Sequence, residues 1–142
     1  MTVTVEKIQA ARQASFAEGA FFETESVELD GQTYRAYKHA PKTAIEVIQN
    51  GRGHGDVDFL VYEDERYTFN EFYANVDALA AVLQKDYGVK KGDRVAIAMR
   101  NNPQWLFAYA AATLIGALVV PINSWGKTEE LDYAIKDRKS VV

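Results

Sequence analysis

The sequence contains no cysteine and only two histidines, His39 and His54. The lack of cysteine excludes a disulfide-stapled scaffold, a thiolate zinc site and a cysteine nucleophile. Two histidines are too few for a histidine-rich metal centre. Positive charge is also scarce, because 16 basic side chains stand against 20 acidic ones and the net charge is -4. We therefore expect no general affinity for nucleic acid, which requires clustered positive charge.

The remaining composition is that of an ordinary soluble domain. Of the 142 residues, 48% are hydrophobic and 25% are charged. A chain of this length buries about two-thirds of its unfolded surface and needs no disulfide or metal to fold. The first residues carry several charges and lack the apolar core of a signal peptide. These features predict a cytoplasmic protein.

One uncharged segment, residues 103–122, has roughly the length needed to cross a bilayer. Its first half is rich in Ala and Leu, as in a helix, whereas 118–122 is a β-branched run bounded by Gly and Pro. A buried helix followed by a buried strand explains the same residues and is the preferred interpretation. A single membrane span is the alternative.

The first part of the chain predicts a helix and a hairpin. Residues 4–18 have a loose apolar stripe that favours a helix. Asp30-Gly31 lies between strand-like runs at 26–29 and 32–37. An Asp-Gly pair in that position favours a two-residue hairpin turn, because Gly accepts the positive φ that such turns require.

The glycine-rich segment 51–55 resembles a phosphate-binding loop in composition only. Such loops follow a strand and open a helix, so that free backbone N–H groups converge on the anion. Here a short helix is predicted at 42–49, opened by Pro41 and ended at Asn50, and a strand follows at 59–62. We expect a flexible connection at 51–55 and not a nucleotide site.

A strand pair at 59–62 and 66–68, joined by an acidic turn, leads into a strong helix signal. Thr68 and Glu71 form a capping-box pattern. Apolar side chains then recur at spacings of three and four until Gly88. This stripe predicts a long helix with one buried face.

The last part of the chain alternates strand, helix, strand, helix, strand. This order predicts βαβ crossovers that build a parallel sheet, so the fold class is α/β. The third strand has three residues and nothing after it to cover the sheet, so we expect the sheet to be incomplete. The predicted strands are 94–99, 118–122 and 140–142, and the helices between them begin at Asn102-Pro103 and at Thr128.

No spacing of residues indicates an active site. The sequence has no G-x-S-x-G elbow, no Walker loop, no H-E-x-x-H and no G-x-G-x-x-G. The acidic run 63–65 and the pair Lys90-Lys91 are typical of solvated turns. The residues alone therefore predict a fold class without a reaction, and they assign no catalytic residue and no metal ligand.

Five segments occur in an order that resembles a known family. They read FLVY to YTF at 59–69, GVKKGDRVAI at 88–97, RNNPQW at 100–105, GALVVPIN at 116–123 and TEEL at 128–131. Together they resemble the opening of the adenylate-forming superfamily, the AMP-binding acyl- and aryl-CoA synthetases with their luciferase and peptide-synthetase relatives. The resemblance is strong over 59–142, and 21–40 resembles the leaders of fatty-acyl-CoA-ligase-like members.

Two positions and one short segment depart from the wider pattern. Gln104 stands where the family usually has Glu, which keeps the shape and loses a charge. Trp125 differs from the wider superfamily and resembles the fatty-acyl-like subgroup. Residues 138–140 replace the usual small-residue turn.

The resemblance implies a parent enzyme that is a two-step, AMP-forming ligase. A carboxylate attacks the α-phosphorus of MgATP, which gives an acyl-adenylate and pyrophosphate, and the thiol of CoA then displaces AMP. Catalysis of this kind is mainly positioning and neutralisation of charge on phosphoryl oxygens. The implied cofactors of the parent are ATP, Mg²⁺ and CoA, and its substrate is a small carboxylic acid.

The family's nucleotide, magnesium and ribose residues, and its mobile catalytic lysine, correspond to positions after Val142. The resemblance thus implies a leader at 1–58 and the start of an AMP-binding domain at 59–142, truncated before the nucleotide motifs. We expect the chain alone to be inactive and without cofactor sites. An uncovered sheet edge also predicts self-association.

Asn123 and Trp125 are the candidate substrate-binding residues. Both follow the C-terminal end of a predicted parallel strand, where α/β sheets bind ligands. The alternative for them is a structural role at the exit of the strand.

Two other functions fit parts of the sequence. Residues 140–142, Ser-Val-Val, fit a C-terminal peptide of the kind that PDZ domains add to a sheet edge, which suggests an autonomous interaction module. Another adenylate-forming enzyme, such as an aryl-CoA ligase, fits the same five segments.

Overall fold

A computed structural model describes residues 3–138. The chain divides between Lys42 and Thr43 into a first unit and a second, larger unit. The predicted third strand at 140–142 lies outside the described residues. A boundary between leader and enzyme domain at 58/59 stays a prediction.

The first unit consists of a helix and a hairpin, as the sequence predicts. Helix α1 is Val5–Ser15, and strands β1 (Thr24–Leu29) and β2 (Gln32–Tyr37) pair antiparallel. The turn residues Asp30 and Gly31 have φ values of 51° and 76°. Two consecutive positive φ values match the right-handed twist of the strands, which explains why an Asp-Gly pair stands here.

Glu23, just before β1, makes several polar contacts at the open end of this hairpin. The Lys38 ammonium lies 2.7 Å from one Glu23 carboxylate oxygen, and the Gly19 N–H donates to the other at 2.9 Å. His39 Nε2 lies 3.4 Å from the same second oxygen. The hydrogen bond from Lys38, supported by the one from Gly19, lowers the pKa of Glu23 to about 2.

The second unit begins with a short helix whose start differs from the prediction. Helix α2 is Ala44–Gln49, and the Thr43 hydroxyl caps it by accepting the Glu46 N–H at 3.1 Å. The helix therefore begins two residues after the predicted position 42, and Pro41 does not open it. A threonine cap satisfies a free N–H group, which the fixed φ of a proline does not do.

The predicted flexible connection at 51–55 is wrong, because a 3₁₀ helix, Asn50–His54, continues directly from α2. The two Arg52 guanidinium nitrogens lie 2.9 and 2.6 Å from the carboxylate oxygens of Asp77. The same guanidinium lies 4.4 Å from the centre of the Tyr73 ring. Arg52 also lowers the pKa of Asp77. This clamp joins residues that are 25 positions apart, so no local pattern could reveal it.

The hairpin that follows has a shorter turn than predicted. Strands β3 (Asp58–Tyr62) and β4 (Glu65–Thr68) pair antiparallel, with Tyr62 opposite Glu65. Glu65 belongs to the strand and not to the turn, which has two residues. Glu63 takes a φ of 49° to close it.

Helix α3 is Phe69–Lys85 and begins with the predicted capping box. The Thr68 hydroxyl accepts the Glu71 N–H at 3.2 Å, and the Glu71 carboxylate accepts the Thr68 N–H at 2.8 Å. The chain leaves the helix through Gly88, whose φ is 66°. A side chain at this position would be strained, which is why Gly stands there.

A parallel crossover follows α3. Strands β5 (Arg94–Ile97) and β6 (Leu118–Pro121) pair in parallel through helix α4 (Pro103–Leu114). Both strands end one or two residues earlier than predicted, and helix α5 (Thr128–Arg138) begins where expected. The mixed α/β class and the first βαβ crossover are thus confirmed.

The core of the second unit lies between α3 and α4. Val76 and Ala111 are completely buried, and Phe72, Phe107 and Ala110 surround them. The rings of Phe72 and Phe107 contact each other across the two helices, with their centres 5.7 Å apart. On its other side α4 packs Ala112 against the strands, in a second cluster of four buried residues: Val89, Val95, Ala112 and Ala117.

The uncharged segment 103–122 is divided between helix α4 and strand β6, as in the preferred interpretation. Within residues 3–138 no helix is both long enough and apolar enough to cross a membrane.

The lowered pKa of Glu23 predicts a pH dependence of the first unit. An acid whose pKa falls on folding stabilises the fold above its ordinary pKa of 4.5 and loses that contribution as the pH falls through about 2. The chemical shift of the Gly19 amide proton, followed by NMR, should therefore titrate with a midpoint near 2. Glu23→Gln should abolish this titration and Glu25→Gln should leave it in place. A midpoint near 4.5 would contradict the contact between Glu23 and Lys38.

Candidate functional site

The carboxyl ends of β5 and β6 open into a groove of about 600 Å³. Residues 99–101, which leave β5, form one side of it, and residues 121–125, which leave β6, form another. Tyr62 from β3 and Trp105 from the first turn of α4 complete the lining. Parallel α/β sheets commonly bind ligands at this edge, because the loops after adjacent strands diverge there. We call this space the strand-end groove.

Asn123 and Trp125, the two predicted site residues, both line the strand-end groove. The Asn123 side-chain oxygen accepts the Trp125 N–H at 3.1 Å, and the Asn123 carbonyl accepts the Gly126 N–H at 3.1 Å. Such a turn is typical of Asn, whose side chain replaces a backbone acceptor. The Asn123 side chain thus stabilises the backbone turn that carries Trp125. A substrate-facing role of either residue stays a prediction.

Gly126 belongs to the same turn, where there is little space for a side chain. A Cβ atom there would lie 3.2 Å from the Asn123 carbonyl oxygen and 3.2 Å from a Glu130 carboxylate oxygen. Glu130 is itself engaged, because it accepts the Lys127 N–H at 2.9 Å just before helix α5. The turn and the start of α5 thus hold each other in place.

The Trp125 ring projects outward, with 74% of its surface exposed. Its one described ring contact is with Arg100, whose guanidinium carbon lies 4.3 Å from the ring centre. Guanidinium and indole planes attract each other at this distance. The contact joins the loop after β5 to the loop after β6 across the groove.

The lining of the strand-end groove is aromatic and carries one positive charge. Tyr62, Trp105 and Trp125 supply rings, and Arg100 is the charged residue among the described lining residues. Trp105 is held by stacking on Tyr109 one helical turn later, with ring centres 5.5 Å apart. No carboxylate belongs to the described lining, so the groove suits an anion better than a cation.

A second groove, of about 530 Å³, lies between β6 and α5. It shares Pro121, Ile122 and Asn123 with the strand-end groove and also contains Glu130 and Arg138. The two spaces meet at the Asn123 turn, so this turn shapes both.

The described residues do not fit Mg²⁺ or another metal. Mg²⁺ prefers carboxylate and water oxygens, and the described lining of the strand-end groove has no carboxylate. Over residues 3–138 no three His, Asp or Glu side chains are grouped so that they could hold a metal ion. No metal ligand is therefore identified among residues 3–138.

Comparison with known proteins identifies the family. The sequence model of the AMP-binding enzyme family matches residues 47–142, which is more than half of the chain. The chain belongs to the AMP-binding enzyme family. The resemblance to the opening of the adenylate-forming superfamily is thereby confirmed.

Individual relatives agree with this assignment. The chain is 35% identical over 81 residues to 2-succinylbenzoate–CoA ligase of Bacillus velezensis, which covers 57% of the chain and 17% of that protein. It is 44% identical over 95 residues to acetyl-coenzyme A synthetase of Sinorhizobium medicae, which covers 63% of the chain and 14% of that protein. The chain thus spans about a sixth of the length of these relatives.

The fold also matches a solved structure. The N-terminal subdomain of NpsA from Klebsiella oxytoca, in complex with anthranilyl-AMSN, superimposes with a TM-score of 0.67 at 27% identity, over 75% of this chain and 28% of that one. The predicted fold, the N-terminal part of an adenylate-forming enzyme, is confirmed by this likeness.

Sequence reasoning missed Arg100, Tyr62 and Trp105 as members of the groove. Arg100 and Trp105 stand in the RNNPQW segment that carries the resemblance, but the pattern there indicates only a helix start. Tyr62 is the last residue of β3. Its approach to the ends of β5 and β6 depends on tertiary packing, so no local signal marks it.

Loss of the Asn123 side chain should release Trp125. In a Trp105→Phe background, Trp125 is the remaining tryptophan, so its fluorescence reports the turn alone. Asn123→Ala removes the acceptor of the Trp125 N–H and should lower the fluorescence anisotropy, at a cost of about 1 kcal/mol in the free energy of unfolding. Asn123→Asp keeps the acceptor oxygen and should retain the anisotropy. An unchanged anisotropy in the Ala variant would show that the side chain does not hold the turn.

Proposed function

We propose that this chain is the N-terminal portion of an AMP-forming acyl-CoA synthetase. The observation that carries the proposal is the family match over residues 47–142, joined to named relatives that are acid–CoA ligases. The parent would convert a carboxylic acid and ATP into an acyl-adenylate and pyrophosphate, and then form a thioester with CoA. Its proposed cofactors are ATP, Mg²⁺ and CoA. We propose that it activates fatty acids in the cytoplasm.

The proposed contribution of this chain is to build the scaffold and one wall for the substrate. A carboxylate is a poor acyl electrophile until one of its oxygens becomes part of a good leaving group, so the enzyme must bring several anionic partners together. A positively charged groove at the ends of parallel strands supports such a role. We assign Asn123 and Trp125 to its substrate-facing surface, with Asn123 acting through the position of Trp125.

An aryl-CoA ligase is the second candidate. Three aromatic rings line the strand-end groove, and flat rings pack well on aromatic side chains. One relative is named for an aromatic acid, 2-succinylbenzoate. Comparison of benzoate with a straight-chain acid as substrate of the parent enzyme distinguishes the two candidates.

We expect that the 142-residue chain alone cannot form an acyl-adenylate and that further parts of the parent enzyme are needed. The purified 142-residue chain should show no carboxylate-dependent exchange between ATP and radioactive pyrophosphate, because its groove lacks the carboxylates for Mg²⁺. The product of the complete reading frame that carries this sequence should show the exchange. A complete product without exchange for any carboxylic acid would overturn the ligase proposal. Exchange by the chain that persists through further purification would overturn its predicted inactivity.

Self-association is the proposed behaviour of the isolated chain. In the described part of the chain β5 and β6 form a two-stranded sheet, and Leu118 on β6 is 55% exposed. Unpaired strand edges beside apolar side chains favour pairing between copies. Multi-angle light scattering should give a mass that rises above 15.9 kDa with concentration, and Leu118→Lys should reduce the rise. A constant monomer mass at millimolar concentration would contradict the proposal.

A further inference from the structure

Arg100 is an exposed arginine that contacts an aromatic ring. Its described contact is the stack on Trp125, at 4.3 Å from the ring centre. Within residues 3–138 no hydrogen bond or ion pair of its side chain is found, whereas Arg52 is paired with Asp77 and Arg66 donates to two backbone carbonyls. Arg100 is exposed, so its guanidinium N–H donors remain accessible to a ligand.

The surroundings of Arg100 favour an anion. The described lining of the strand-end groove contains no carboxylate that would compete for the guanidinium. Asn101, Asn123 and Ser124 add polar groups beside it, and Tyr62 and Trp105 add aromatic surface. A space of about 600 Å³ is large enough for a small organic ligand.

We propose that Arg100, stacked on Trp125, binds the anionic group of a ligand whose flat or apolar body lies against Tyr62 and Trp105. The anionic group is a carboxylate or a phosphate, since both offer the paired oxygens that a guanidinium edge binds. The inference deepens the proposed function and rests on it for biological meaning, because both substrates and products of such a ligase are anions. No bond is made or broken by Arg100, and its role is binding.

The arrangement explains why Trp125 is exposed. The ring does not contribute to the core, and the Asn123 side chain holds the backbone from which it projects. Contact with the ring restricts the Arg100 side chain, which lowers the conformational entropy that this side chain loses on binding. In the proposed site Asn123 is therefore a positioning residue.

The two tryptophans of the chain make binding directly measurable. Both Trp105 and Trp125 line the groove, so intrinsic fluorescence reports its occupation. The chain is titrated with benzoate, with phenyl phosphate, and with benzamide, which has the shape of benzoate and no charge. We expect benzoate or phenyl phosphate to bind at least about tenfold more tightly than benzamide, as charge-assisted hydrogen bonds predict. The anion with the higher affinity shows whether the groove prefers a carboxylate or a phosphate.

Three variants assign the effect to Arg100. Arg100→Gln should lower the affinity for the preferred anion about tenfold and leave the affinity for benzamide unchanged. Arg100→Lys keeps the positive charge and loses the planar guanidinium. Its affinity for the anion should lie between that of the unaltered chain and that of Arg100→Gln. Arg94→Gln removes an exposed arginine at the opposite end of the same strand and should have no effect. Circular dichroism checks the folding of each variant, and if Arg100→Gln does not fold, the expected weakening by Arg100→Lys tests the proposal.

Equal affinity for anion and benzamide, or an Arg100 variant that binds the anion like the unaltered chain, overturns the proposal. The titration contains no ATP and no CoA, so its failure leaves the ligase proposal standing. Conversely, a complete product that fails in pyrophosphate exchange leaves a measured anion site standing.

Discussion

The close packing of α3 against α4 is the contact on which the second unit depends. Val76 on α3 and Ala111 on α4 are both completely buried in one cluster, and the distance between two packed helices depends on the size of the side chains at their contact. Ala112, the next residue of α4, packs towards the strands in a separate cluster. Helix α4 thus packs on two sides, against α3 and against the strands. Its position therefore also determines the positions of the two parallel strands that it connects.

The strand-end groove is a consequence of that geometry. Because β5 and β6 are parallel, their carboxyl ends meet at one edge, and the loops that follow them face each other across it. Arg100 comes from one loop and Trp125 from the other, so their stack exists only when the crossover is folded. The scaffold function and the proposed binding function therefore rest on the same packing, and loss of this packing would abolish both.

Local signals predicted much of the fold, whereas two of the contacts that the sequence did not reveal are long-range. Asp30-Gly31, the Thr68–Glu71 capping box and the Asn102–Pro103 helix start each satisfy backbone groups a few residues away, so the sequence displays them directly. The Arg52–Asp77 clamp and the Arg100–Trp125 stack each join residues 25 positions apart. Asn123 and Trp125 were found as neighbours of a strand end. Arg100 also follows a predicted strand, but its contact with Trp125 is not visible in the sequence. Tyr62 and Trp105 reach the groove through tertiary packing.

Overpacking the contact between α3 and α4 tests the account most directly. Ala111→Leu inserts three carbon atoms into a completely buried position and should lower the free energy of unfolding, measured by urea denaturation with tryptophan fluorescence, by about 1–3 kcal/mol. Ala74→Leu makes the same change at an exposed position of α3 and should alter stability by less than about 0.5 kcal/mol. Equal stabilities for the two variants would contradict the claim that this contact holds the second unit and its groove together.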